Sequence, residues 1–340
     1  MARQTDTNGD VRKRTEQSKS QVQSIEDNKN SNEFLIKYQN QLYNIHDFLS
    51  YHPGGKKVLN YFKNRSLDKV FEENPHSKAA FHLLEEFTVK NQETYQKYEN
   101  LIDWNAAILP QVGSLGHQYW EWVNLPVNRN IRLFDSKILE NITITPWYLI
   151  PIIWIPIVIY FVYTGWMNNI ANNTGTTLFE SIISYVLGIF MWSLVEYVLH
   201  RELFHFKPPT NSKLLISFHF LLHGVHHKAP FDGRRLVFPP IPALIITRLL
   251  VYIYEALFPQ TAVSFIMAGT VTGYICYDLI HYYLHHGAPK DGTYMYLLKR
   301  SHNYHHFLHH DLGYGISSKL WDYVFGTNIC LRQLTKPIEW

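Results

Sequence analysis

In a chain of 340 residues, a charged fraction of only 17% and an aromatic fraction of 15% point to apolar surface beyond that of one soluble core. A formal net charge of +3, with no basic cluster interleaved with stacking aromatics, argues against a nucleic-acid partner. The two cysteines, Cys276 and Cys330, rule out a disulfide framework or a zinc–thiolate site and fit a reducing, cytosol-facing catalytic part; the polar N-terminus has no secretory apolar core, so membrane targeting is expected from an internal span.

Residues Met1 to about Asn32 are rich in Gln, Asn, Ser, Asp, Lys and Arg and are predicted to be a disordered tail (1–32). From Glu33 the texture changes. Phe34–Gln39 and Gln41–Ile45 predict a short hairpin, followed by His52-Pro53-Gly54-Gly55, where glycine lets the backbone turn tightly and approach a flat ligand. His76 comes 24 residues after His52, and Val58, Leu59, Phe62, Val70, Phe71, Phe81 and Leu84 are available to wall a pocket. Two histidines meeting a haem from opposite faces would fill both axial positions, leaving an iron that carries electrons and has no open position for oxygen. This α+β segment, 33–100, closely resembles the cytochrome b5 family, with a shortened first strand and with His52 and His76 matching the axial ligands of haem b. His46, His82 and His117 are read as surface or packing residues.

A connector, 101–146, follows. Within the polar stretch from about Asn91 to Ser136, Trp104, Tyr119, Trp120 and Trp122 provide aromatic anchors. Pro126 to Phe134 is basic and amphipathic enough to lie at a membrane surface, and a plain interdomain linker is the competing reading. The rest, 147–340, is predicted to be an all-α integral membrane domain with about four transmembrane helices: Trp147–Tyr163, Leu178–Leu199, Leu244–Phe258 and Val263–Leu284, the third weakened by Arg248 and Glu255. The far loops, Trp166–Thr177 and Gln260–Ala262, contain no Lys or Arg. The near side holds Arg129, Arg132, Lys207, Lys213, Lys228, Arg234, Arg235, Lys290, Lys299 and Arg300, so by the positive-inside rule it faces the cytosol, as does the preceding haem segment.

Fourteen of the nineteen histidines lie between His200 and His310, and ten form compact sets: His200 and His205; His223, His226 and His227; His281 and His285; His302, His305 and His306. Residues three and four apart share a helix face, and neutral imidazole is the commonest side-chain metal ligand. A lone histidine is usually structural, but ten convergent ones exceed the needs of a single ion. They predict a dimetal site with nearly all-nitrogen ligation, held in a cytosolic helical cap. Asp278, three residues before His281, and Glu196, four before His200, are placed to accept a ring N–H and fix a tautomer. Beside a one-electron haem, such a centre calls for an oxygen-activating oxidase. Iron is expected for activity, and zinc also suits imidazole as an inert occupant.

The histidine pattern resembles the fatty acid hydroxylase superfamily of non-haem dimetal membrane oxidases, and most closely its fatty acid 2-hydroxylases with an N-terminal cytochrome b5 domain. Other stretches carry it too: Asp103-Trp104, Glu121-Trp122-Val123, Ile131-Arg132-Leu133-Phe134, Arg235 to Pro240, Gly273-Tyr274 with Tyr277-Asp278, and Trp321-Asp322 with Phe325-Gly326-Thr327. The resemblance implies that the ten histidines are metal ligands and that Tyr274, Tyr277 and Asp278 border the metal site and substrate entry. His219, His286, His309 and His310 fall outside the ligand set and are expected mainly at the surface. It further implies hydroxylation at C2 of a long fatty acyl chain, free or in ceramide, for 2-hydroxy sphingolipids. Electrons would come from an NADPH-dependent membrane reductase, and the location would be the endoplasmic reticulum membrane. Two rivals are a sterol or alkyl-lipid oxidase with the same metal chemistry, against which the fused haem segment argues, and a histidine-rich zinc transporter. Transport needs polar groups through the bilayer, whereas these histidines cluster at span ends.

Overall fold

The computed structural model describes residues 33–89, 98, 100–333 and 338; the predicted disordered tail lies outside them. Reversing the chain after Tyr38 requires two left-handed residues, which Gln39 (φ 45°) and Asn40 (φ 68°) supply. The turn sets the register of β1 (Leu35–Tyr38) against β2 (Gln41–Asn44), from Tyr38↔Gln41 to Leu35↔Asn44. A 3-10 turn, His46–Phe48, and three short α-helices follow among the described residues of this unit: α1 (Lys56–Asn60), α2 (Asp68–Glu73) and α3 (Lys78–Glu85). Its core is Phe34, Ile36, Tyr43, Ile45, Leu49, Leu59 and Leu67, with Phe62, Val70, Phe71 and Leu84 packed against it. Val58, expected in a pocket wall, stands exposed.

The described part of the connector corrects both sequence readings. Val127, Ile131 and Leu133 are 0%, 1% and 1% exposed. They form a core with Tyr119, Trp122, Ile216 and Phe220. Burial of those side chains leaves no apolar face for a membrane surface and makes the segment an integral part of the cap. Lys228 is buried there as well, its ammonium donating to the carbonyls of Leu125 (2.6 Å) and Trp122 (3.1 Å) and lying 4.5 Å from the Trp122 ring centre.

Among the described residues, four helices are long and apolar enough to cross a membrane: α4 (Leu149–Ala171), α5 (Leu178–Val198, running on to Phe204), α6 (Pro240–Leu257) and α7 (Gln260–His286). The third, weak in the sequence, is an unbroken helix that starts on a proline, which has no N–H to lose at a first turn. The chain is a multi-pass membrane protein. In α7, 67% of the most apolar window is buried, against 17–22% in the others, so α7 is the central helix and the rest turn broad apolar faces outward. A capping box starts α5: Thr177 N–H donates to Glu180 (2.7 Å), and Glu180 N–H to the Thr177 hydroxyl (3.2 Å).

Glycines allow α5 and α7 to touch. A Cβ on Gly269 would run into the Tyr185 carbonyl, and one on Gly188 into the Ile266 carbonyl. Gly269→Ala is therefore expected to force the helices apart at a cost of about 1–3 kcal/mol. Its melting midpoint in detergent should fall below that of the wild type. Ile159→Ala, on an outward face of α4, should leave the midpoint unchanged.

Candidate metal centre and haem pocket

The ends of α5 and α7 deliver four of the ten histidines to one place. Helix α8 (Tyr294–Phe307) and the segment from Lys213 to Lys228 deliver the other six. His226, His281, His285, His302 and His306 gather so that one ring nitrogen of each lies within 4.8 Å of all the others, and His200, His205, His223 and His305 do the same. All nine are buried. His227 falls outside both tight groups. Its ring lies 4.8 Å from those of His205 and His223 and 4.4 Å from that of His306, and both of its buried nitrogens lack a protein partner.

The spacing of five between His200 and His205 is poor for a regular helix, where such residues sit about 140° apart. The chain solves this with a π-helical turn from Leu199 to Phe204, in which His205 N–H donates to the His200 carbonyl at 3.1 Å. A second π turn, Phe220–Gly224, carries His223 and rotates it relative to His226 and His227.

The ring contacts carry the chemical information. His302 Nε2 lies 3.1, 2.8 and 3.1 Å from the Nε2 atoms of His281, His285 and His306. In the other group, His200 Nε2 is 3.2 Å from His223 Nε2, and His305 Nε2 is 3.0 Å from His205 Nε2. One N–H cannot serve three nitrogens, so these are lone pairs converging on a point. Two nitrogens about 2.1 Å from one ion and about 90° apart would lie about 3 Å from each other. Burial pushes the pKa of His223, His226, His227, His302, His305 and His306 well below the ordinary imidazole value, which keeps those rings neutral. His226 Nε2 and His306 Nδ1 add to the buried nitrogens without a protein partner. The donor set fits two metal ions.

Two of the rings are oriented by backbone carbonyls. His200 Nδ1–H donates to Tyr314 O (2.6 Å) and His305 Nδ1–H to Leu312 O (2.7 Å), leaving each Nε2 as the lone pair. Neither Asp278 nor Glu196 bonds a histidine ring, a correction to the expected role. Glu196 accepts from the N–H groups of Ile316 and Ser317 (2.8 Å each), and Asp278 from Phe238 N–H (3.1 Å). Both carboxylates face loop amides across the fold, which turns them away from the rings. Asp322 was missed as a supporting residue. It accepts from Tyr314 N–H and Gly315 N–H (2.9 Å each) and from the Thr327 hydroxyl (2.8 Å), pinning the loop whose carbonyls aim His200 and His305. Asp322→Ala is expected to loosen that loop and lower metal affinity by about 10–100-fold, read as faster loss of one ion per chain to a chelator.

An apolar pocket runs between α5, α6 and α7, lined by Trp192, Leu199, Phe204, Leu250, Met267, Val271, Tyr274 and Tyr277, among others. Its walls touch both histidine groups: Phe204 stacks on His223 at 5.2 Å, and Tyr277 stacks on His281 at 6.0 Å. Tyr274 donates weakly to Phe238 O (3.4 Å), so Tyr274 and Asp278 hold the same residue. His219 corrects its surface expectation. It is 3% exposed and shares a 2.5 Å hydrogen bond with Tyr119. His309 is exposed, whereas His286 and His310 are half-buried.

In the N-terminal unit, His52 and His76 stack with ring centres 6.4 Å apart and an interplanar angle of 18°. Each Nδ1–H donates to a carbonyl, His52 to Gly55 O (3.1 Å) and His76 to Asn74 O (2.7 Å), leaving each Nε2 as the lone pair. Two imidazole–metal bonds of about 2 Å plus the ring radii come to roughly 6 Å, so the separation fits an iron between the rings. Burial pushes the His52 pKa down to about 4, keeping that ring neutral. Gly54 is needed at this spot because a Cβ there would meet the His52 ring.

Comparison with known proteins meets this geometry. The family model for cytochrome b5-like haem/steroid-binding domains matches residues 18–93, and that for fatty acid hydroxylases matches residues 185–327. The fatty acid 2-hydroxylase of Homo sapiens is 39% identical over 332 residues, covering 84% of this chain and 89% of that protein. The chain belongs to the fatty acid 2-hydroxylase family. A dihydroceramide fatty acyl 2-hydroxylase of Arabidopsis thaliana is 43% identical over 229 residues, covering 66% of this chain and 92% of that protein. Among solved structures, full-length scs7p, in which only the hydroxylase domain is visible, aligns with a TM-score of 0.62 and 31% identity, covering 74% of this chain and 93% of that one. In this family member the cytochrome b5-type domain supplies a haem site and the cap supplies a metal site.

Proposed function

We propose that this protein is a membrane monooxygenase that hydroxylates C2 of long-chain fatty acids or of the N-acyl chain of (dihydro)ceramides, for 2-hydroxy sphingolipid synthesis. The observation that carries the proposal is the meeting of two buried histidine groups with the end of an apolar pocket running along the membrane helices. His226, His281, His285, His302 and His306 hold one metal ion. His200, His205, His223 and His305 hold the second, with His227, whose ring contacts three of those four at 4.8–5.1 Å and His306 of the first group at 4.4 Å, as the fifth ligand. His52 and His76 hold haem b. When bound, the metal pair supplies oxygen reduction and C–H oxidation, for which iron is the expected metal and zinc a non-reactive occupant.

The protein's own groups position and shield. Trp192, Leu250, Met267 and Val271 give the acyl chain an apolar lane from the bilayer region. Tyr277 and Phe204 close its inner end against His281 and His223 and exclude water from the reacting carbon. Tyr274 and Asp278 fix Phe238, which lines the pocket with its ring stacked on Phe204 at 5.4 Å. The basic near side and uncharged far loops support a cytosolic orientation of cap and haem domain in the endoplasmic reticulum membrane. An NADPH-dependent membrane reductase there serves as electron donor.

Expression of the intact chain in a cell lacking its own 2-hydroxylase should produce 2-hydroxy sphingolipids, detected by lipid mass spectrometry. Oxidised sterols in their place would overturn the acyl substrate.

A further inference from the structure

The haem domain is seated on the cap, and a line of aromatic rings crosses the junction. Phe48 lies 5.9 Å from the His52 ring and 5.8 Å from Phe231 of the cap. Phe231 lies 6.1 Å from Phe307, and Phe307 lies 6.2 Å from the His306 ring. Every step is an aromatic contact, within about 4.5–7 Å between ring centres, so no water-filled gap separates a haem-facing histidine from a metal-facing one. Tyr51 braces the junction, its ring 5.0 Å from Phe231 and 5.9 Å from His286. Glu86 of the haem domain pairs bidentately with Arg129 of the cap, whose guanidinium lies 4.4 Å from the Trp104 ring centre. Lys78 and Glu121 form a second, more exposed pair. The glutamate of the Glu86–Arg129 pair is 7% exposed, so that pair is the stronger tether.

We infer that Phe48, Phe231 and Phe307 form the electron route between the two sites, with Glu86–Arg129 holding the domains in register. The inference rests on the electron-fed oxygenase reading. Each passage oxidises a ferrous haem to ferric and reduces the metal pair by one electron. Two passages, refilled by an external one-electron reductant, supply both electrons needed to convert the second oxygen atom and two protons to water.

The test uses the intact, haem- and metal-loaded chain. In Phe231→Leu the haem spectrum and metal content should match the wild type, while oxidation of pre-reduced haem on mixing with oxygen and an acyl substrate should slow on the order of tenfold or more. Phe231→Tyr keeps the ring and should keep the rate. A wild-type rate in Phe231→Leu, or equal slowing in Phe231→Tyr, would overturn the route. Docking is read separately in the chain free of haem and metal. Arg129→Glu should raise backbone hydrogen exchange over residues 48–55, and the swapped pair Glu86→Arg with Arg129→Glu should restore protection. Unchanged exchange in Arg129→Glu would overturn the tether. Failure of the oxygenase reading looks different, because the wild type would then make no 2-hydroxy product.

Discussion

His302→Ala is expected to remove one of two metal ions per chain and to abolish hydroxylation. His302 Nε2 is the nitrogen on which those of His281, His285 and His306 converge, at 2.8–3.1 Å. Losing it opens one coordination position and leaves a buried void beside four neutral imidazoles. Removing a mere outer-shell partner of a metal ligand costs about 10–100-fold in affinity or activity, so a direct ligand at the convergence point should cost more. Elemental analysis of purified protein should give one ion where the wild type gives two, and the 2-hydroxy product should fall to background. The second group has its own geometry, centred on His200 and His305, and should keep its ion. His309→Ala, at an exposed position one turn beyond the ligands, serves as the control and should change neither reading. Two ions and full product in His302→Ala would remove that residue from the ligand set.

Grouping of the histidines was legible because imidazoles three and four apart on a helix must share a face, as His281 with His285 and His302 with His306 do. His200 and His205 group by nearness in sequence, and the structure brings them together, but regular helix geometry does not explain how. A spacing of five reaches one face only through the π turn at Leu199–Phe204, and no side chain announces that turn. The orienting groups were illegible for a related reason. They are the carbonyls of Tyr314 and Leu312, and every residue has a carbonyl. Glu196 and Asp278 looked better placed because they lie one turn from a ligand, yet nearness in sequence does not say where a carboxylate points. Each finds amides more than 30 residues away along the chain. The connector was misread because Val127, Ile131 and Leu133 have the same apolar spacing whether they meet lipid or a protein core. Their partners, Ile216 and Phe220, arrive from a distant segment. In the same way His219 gave no hint of Tyr119, 100 residues before it. Local periodicity was readable, and contacts between distant segments had to be seen.

His52→Ala is expected to separate the two sites chemically. The ring it removes stacks 6.4 Å from His76 and is held by Gly55 O, so of the two histidines that would hold the haem, which would supply one-electron transfer, only His76 would remain. The absorption band of the six-coordinate haem should disappear, and hydroxylation driven by the membrane reductase should fall to background. Metal content should stay at two ions per chain, because no ligand of either histidine group comes from the haem domain. A small-molecule one-electron reductant able to reach the cap should recover product in His52→Ala and fail to do so in His302→Ala. That contrast is what distinguishes a lost supply of electrons from a lost reaction centre. Full reductase-driven activity in His52→Ala would show that electrons enter the cap without the fused haem, and the domain packed against Phe231 would need another role.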